Sequence, residues 1–260
     1  MNIDPLIKQF LLEWAEDEFW VGHLMAKKVY DYGPDLEENI AIGSISQDEM
    51  GHCRMLLRSI IESKSEKEMD KLMYERPPEE LNVSRLAEYW YEYDWVKFII
   101  KQLFYDVVDH ERLKFSEKLA LPIIDNISNI MRREESIHLE HWTEWALIIS
   151  EDKYGRMKIQ ETVDEIYPLL SDFFSGTLYK EISEKYLDVT LKPEDLLSQS
   201  LQKIKDILFL LNVEIPYSEE QMIAKLVQKG GRNGIHSEGF SELYNELTTV
   251  YRENPEFVWG

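Results

Sequence analysis

Two short runs in this 260-residue chain set a carboxylate and an imidazole three residues apart: Glu49-Met50-Gly51-His52 and Glu135-Ser136-Ile137-His138. On an α-helix such residues share one face, about a turn from each other. Each pair can therefore offer an oxygen and a nitrogen to one metal ion. A single pair is a weak signal in a chain so rich in glutamate. Two pairs gain weight from what precedes them. Glu18 stands 31 residues before Glu49, and Asp94 stands 41 before Glu135. Each interval suits part of a helix, a loop and part of a returning helix at about 1.5 Å per residue. The order carboxylate, Glu-x-x-His, carboxylate, Glu-x-x-His reads as a duplicated helix pair.

In bundles that hold two metals between carboxylates, two helices each supply Glu-x-x-His and two others each supply one inward acid. We therefore assign Glu18, Glu49, His52, Asp94, Glu135 and His138 as metal ligands and as the reactive centre, with Asp17 and Glu92 as fallback carboxylates. Oxygen and nitrogen donors without thiolate suit iron, or manganese, better than softer metals. Four carboxylates balance two divalent ions and leave coordination positions open, where dioxygen could bind. Glu49 and Glu135, each sharing a helix with a ligand His, are the expected bridges. A metal-bound imidazole usually donates its other N–H to a carboxylate. Asp48 and Glu134 each precede a ligand Glu and are expected to orient the imidazoles across the bundle. The bland alternatives are surface ion pairs for the two Glu-x-x-His motifs and a hydrogen-bonded acid for Asp94. His141 reads as a core or supporting group, His23 and His110 as ordinary, and Cys53 as a small packed residue. Gly22 either leaves space beside the metals or permits a close helix crossing.

Four helices must carry these residues. Apolar Phe10, Trp14, Val21 and Met25 recur at helical spacing and predict a first helix over 5–31, ended by Gly33-Pro34. A second over 35–63 has Glu37 and Glu38 in its first turn, where the helix dipole favours acids. A charged crossover follows, 63–80. The third helix is read over 84–110, carrying Leu86, Trp90, Tyr91 and Asp94, and the fourth over 122–150. Further helices are read over 155–175, 193–212, 218–228 and 238–252, with Ser237 as the last N-cap. No stretch alternates as a strand would.

Composition narrows the function classes. A net charge of −21 opposes non-specific nucleic-acid binding. A single Cys allows no internal disulfide and suits a reducing compartment. The acidic start lacks the basic, then apolar, pattern of a signal peptide, and no run reaches membrane-span length. We expect a soluble cytoplasmic protein.

The chain resembles the phenylacetic acid catabolic proteins, the oxygenase subunits of the phenylacetyl-CoA epoxidase. The residues carrying the resemblance are Tyr32-Gly33-Pro34-Asp35-Leu36-Glu37, the run Ala41 to His52, Arg133-Glu134-Glu135-Ser136-Ile137-His138, and Gly230-Gly231-Arg232-Asn233-Gly234-Ile235-His236-Ser237-Glu238. It covers about 10–255. The family has a catalytic kind with di-iron ligands and a structural kind with apolar or amide residues at the positions of Glu18, Glu49 and His52. This chain has the complete set, while its length and its glycine-rich ending are similar to the structural kind.

The resemblance implies two iron ions, an aromatic acyl-CoA substrate, epoxidation of its ring with dioxygen, and a separate reductase. It also implies either a homo-oligomer or pairing with a related structural subunit. For the glycine-rich loop two readings stand. Lys229, Arg232 and the loop's backbone N–H groups could meet the phosphates of CoA, or the loop is a tight turn. The expected architecture is all-α: one ferritin-like domain over 1–260, with a four-helix core over about 5–150 and a C-terminal helical extension over about 151–260. A non-catalytic scaffold and a ferritin-like iron-oxidising protein are the competing readings.

Overall fold

The computed structural model describes residues 3–29, 33–89 and 94–257, and every regular element among them is helical. Four long helices form the core: α1 (Pro5–Lys28), α2 (Leu36–Ile60), α4 (Trp95–Lys118) and α5 (Pro122–Ser150), with α3 (Glu66–Tyr74) in the crossover between the two pairs. Local chemistry explains their starts. Asp4 accepts the Leu6 N–H at 2.9 Å and Pro5 occupies the first turn of α1. Asp35 accepts the Glu38 N–H at 2.9 Å to open α2. Asp94 accepts the Lys97 N–H at 3.1 Å to open α4. The core is two helix hairpins, α1 along α2 and α4 along α5, closed where α2 meets α5.

The third core helix is the main departure from the sequence reading. It begins at Trp95 and runs to Lys118 rather than spanning 84–110. Residues 84–88 form a capped turn instead, with Ser84 Oγ accepting the Ala87 N–H and Asp17 accepting the Ser84 N–H. The readings for Trp90, Tyr91 and Glu92 fall outside the described residues. From Phe98 to Ser116 every residue of α4 except His110 and Lys114 is buried. Such a helix has no polar stripe to mark its face, which is why periodicity misplaced it.

The remaining helices surround this core. They are α6 (Lys153–Ile166), α7 (Leu170–Phe173), α8 (Leu178–Tyr186), α9 (Pro193–Leu211), α10 (Glu219–Ile223) and α11 (Phe240–Glu253). Helices α6 and α9 cover α4 and α5, α8 packs on α1, and α11 on α3. The sequence reading missed α3 and α8 and merged α6 with α7. It put Ser237 at the N-cap of the last helix, a place that Gly239 takes at φ 85°. No helix among the described residues is long and apolar enough to cross a membrane.

The glycine-rich loop is pressed onto the segment before α4. A Cβ on Gly231 would lie 1.9 Å from the Val83 carbonyl oxygen. Gly234 sits at φ 70°, with the Glu79 carbonyl 2.2 Å from where its Cβ would be. These glycines serve close packing. Gly22 does the same between α1 and α2, where a Cβ would come within 3.2 Å of Glu49 Cβ.

The cap at Asp94 yields a direct expectation. Asp94→Ala should lower stability by about 1 kcal/mol, read as an earlier midpoint in urea unfolding.

Candidate metal centre

His52 and His138 face each other across the seam between α2 and α5, and both turn Nδ1 inward. His52 Nδ1 lies 3.4 Å from Glu18 Oε2, 3.6 Å from Glu49 Oε2 and 3.2 Å from Glu135 Oε1. His138 Nδ1 lies 3.7 Å from Glu49 Oε1 and 3.9 Å from Glu135 Oε2. Each glutamate thus presents one oxygen to each imidazole, the arrangement of two bridging carboxylates. Ligand atoms about 2.1 Å from one ion stand roughly 3.0–3.4 Å apart, so these spacings suit metal coordination.

The outward nitrogens meet the two flanking acids crosswise. His52 Nε2 pairs with Glu134 Oε2 at 2.7 Å, and His138 Nε2 with Asp48 Oδ2 at 3.2 Å. This is the exchange across the bundle that the sequence predicts, and it leaves the Nδ1 lone pairs for a metal. The two acids are partly open, with side-chain exposures of 36% for Glu134 and 41% for Asp48. The residues they orient are buried at 2% or less. The cluster therefore lies just beneath the α2/α5 seam.

Glu18 joins from α1. Its Oε2 faces His52, while its Oε1 accepts from Trp14 Nε1 at 3.0 Å, Tyr105 Oη at 3.0 Å and Arg112 Nη2 at 3.1 Å. The ligand atoms of Glu18, Glu49, His52 and Glu135 all lie within 4.8 Å of one another.

The fourth carboxylate corrects the sequence reading. Asp106, not Asp94, converges with Glu135 and His138, again within 4.8 Å. Asp94 caps the end of α4, twelve residues and about 18 Å along the helix from Asp106. A signal for Asp106 was available. It stands 29 residues before Glu135, close to the 31 between Glu18 and Glu49, whereas Asp94 breaks the half-repeat at 41. The flanking partners Trp14, Tyr105 and Arg112 carry no comparable sequence mark.

A second network lies behind Glu18. Arg112 is buried and donates to Asp17 Oδ2 at 2.8 Å, to Asp109 Oδ1 at 2.7 Å and to Glu18. Arg232 donates to both Asp17 oxygens, at 3.1 and 2.6 Å, and to the carbonyls of Asn82 and Phe173. The Phe173 ring contacts both guanidiniums, with its centroid 4.7 Å from Arg112 and 5.0 Å from Arg232. This corrects the reading of Arg232 as a phosphate contact, because its side chain is spent inside the protein. Lys229 is exposed at the start of the loop. The fallback acid Asp17 is likewise occupied by arginines.

The other singled-out residues have ordinary environments. His23 Nδ1 donates to the Phe19 carbonyl at 3.0 Å, and His141 pairs with Glu38 at 3.1 Å. Burial pushes His110 down to about 4. Burial also pushes the Cys53 thiol far up, so it stays protonated and inert.

Charge decides what the cluster wants. Burial and the neighbouring Glu135 and Glu18 hold Glu49 well above the usual carboxylate range. Burial and Glu135 do the same to Asp106. Burial opposes charge on His52, yet Glu135, Glu18 and Glu49 hold it well above the ordinary histidine value. Burial also works against ionised Glu18, but Glu49, His52 and Arg112 pull it down to about 2. Without metal, burial and mutual repulsion favour the protonated forms of Glu49 and Asp106. Both oxygens of Glu49, Glu135 and Asp106, and Nδ1 of His138, are buried without a hydrogen-bond partner. Converging buried acceptors are costly unless a cation joins them. The donor set therefore fits a metal centre.

A family model described as phenylacetic acid catabolic protein matches residues 2–259. The chain belongs to this family. Its all-helical architecture is that of a ferritin-like bundle, and the membership assigns it a role in phenylacetate catabolism. A search of curated protein sequences gave no significant match. Within the family fold, the buried Glu/His cluster is a site that could hold a metal ion.

Two outcomes test the centre. Asp106→Ala should lose metal relative to wild type, whereas Asp94→Ala should keep the wild-type metal content, both read by elemental analysis. Burial and neighbouring acids raise the pKa values of Glu49 and Asp106, and the surrounding carboxylates raise that of His52. Each therefore holds its proton more tightly than a free group does, and a metal must compete with it. Loading with Mn(II) should therefore release protons, and its apparent affinity should rise with pH. Calorimetry in buffers of different ionisation enthalpy would measure both.

Proposed function

We propose that this chain is a catalytic, oxygen-activating subunit of the phenylacetyl-CoA epoxidase type. It would hold two irons and insert one oxygen atom into the aromatic ring of an acyl-CoA thioester. The observation that carries the reading is the crossed geometry of Glu49 and Glu135, each with one oxygen toward each histidine. A scaffold subunit has no need to keep four carboxylates and two imidazoles converging in its core. That complete set favours the catalytic over the structural reading. The long C-terminal third that covers α4 and α5 argues against an iron-storage shell, which needs little beyond the bundle.

Two bound irons would supply the reducing equivalents that activate dioxygen. The rest is work for the chain's own groups. Glu134 and Asp48 hold the imidazoles by Nε2 and fix their tautomer. Burial excludes bulk water from the reacting volume. Arg112, Tyr105 and Trp14 fix the rotamer of Glu18. The reaction consumes dioxygen, two electrons and two protons, and returns the epoxide and water. Electrons would come from a separate reductase. Partners of this reading are that reductase, the acyl-CoA, and either a second copy or a related structural subunit.

The test is turnover of iron-loaded protein with phenylacetyl-CoA, a family reductase and dioxygen. We expect about two irons per chain and a product heavier by one oxygen, labelled from ¹⁸O₂ gas. Protein that stays metal-free under iron-replete conditions, or holds iron without forming product, would turn the assignment toward the scaffold.

A further inference from the structure

The two halves of the centre are alike in ligand type but unlike in how many oxygens they can give. Glu18 Oε1 already accepts three hydrogen bonds, from Trp14, Tyr105 and Arg112. An oxygen so surrounded has no lone pair left for a metal, so Glu18 can coordinate only through Oε2. Asp106 is the counterpart on α4, and neither of its oxygens has a donor. Both are free to chelate. The metal beside His52 would then meet four protein atoms: Glu18 Oε2, His52 Nδ1, Glu49 Oε2 and Glu135 Oε1. The metal beside His138 would meet five: two from Asp106, with His138 Nδ1, Glu49 Oε1 and Glu135 Oε2.

We infer that the coordination position for a small exogenous ligand lies on the Glu18/His52 side. The three donors on Glu18 Oε1 keep it open by denying Glu18 a second bond. Arg112 is the central positioning residue. It cannot swing away, because Asp17 and Asp109 hold its other nitrogens and Arg232 holds Asp17. The glycine-rich loop thereby acquires a role. Its tight packing against the 79–83 segment seats Arg232, which fixes Asp17, which fixes Arg112. This rests on the metal-centre reading above and adds to it an asymmetry between the two positions.

The experiment uses Co(II) as the metal and azide as the exogenous ligand, followed by the visible ligand-field bands of cobalt. Two variants strip donors from Glu18 Oε1 and so open a lone pair on it. Arg112→Lys alters one of the three, and the double change Trp14→Phe with Tyr105→Phe removes the other two while leaving the Asp17–Arg112 pair intact. In both, Glu18 should rotate into two-oxygen coordination. The bands should weaken as coordination number rises, and azide affinity should fall roughly tenfold, with two cobalt ions still bound. Should Arg112→Lys fail to fold, the double variant decides alone. Unchanged bands and unchanged azide affinity in a folded variant would overturn the asymmetry while leaving the metal centre standing. Wild-type protein that binds no cobalt would overturn the metal centre itself, and this inference with it.

Discussion

Acids buried at the centre of a helical bundle repel one another and resist leaving water, and this protein is built around meeting that constraint. Glu18, Glu49, Asp106 and Glu135 converge where the two hairpins close, all at 1% exposure or less. Such groups coexist only if protons, guanidinium groups or metal ions share the space. The structure divides the task. Arg112 neutralises the side facing α1, the imidazoles serve the middle, and the unpartnered oxygens remain for protons or cations.

The same constraint explains the size of the protein beyond a four-helix core. An α4 buried over nearly all of 98–116, with charged residues along it, needs cover on most sides. Helices α6 and α9 supply that cover, and α8 seals α1. The glycine-rich loop reaches back from the far end of the chain to place a second arginine behind Asp17. A feature that looked like a phosphate cradle is a buried brace, and its glycines are required because backbone meets backbone there.

Function follows from what this architecture leaves open. The centre lies just under the α2/α5 seam, with Glu134 and Asp48 half in solvent and the ligands beneath them. A site so placed is dry enough to strengthen every electrostatic interaction, with two partly exposed acids directly above it. The brace behind Glu18 occupies one of its oxygens with three donors, while both oxygens of Asp106 stay without one. Family membership directs this chemistry toward phenylacetate catabolism, while the geometry explains why the chain keeps its full donor set.

The all-helical class, the pairing Glu49/His52 with Glu135/His138, Glu18 as an inward acid, and the crosswise roles of Asp48 and Glu134 were all legible in the linear chain. They depend on helical periodicity and a repeated interval, which are properties of sequence order. The place of the fourth acid was not read correctly. Asp94 is a ligand-type residue, but its carboxylate is consumed by the N-terminus of α4. The 29-residue interval from Asp106 to Glu135 pointed to the alternative, and the true start of that helix decides it. Nor could sequence show that Arg232 meets Asp17 across 215 residues. Ion pairs of that separation, and the count of free lone pairs they leave on each carboxylate, exist only once the hairpins and the covering helices have packed.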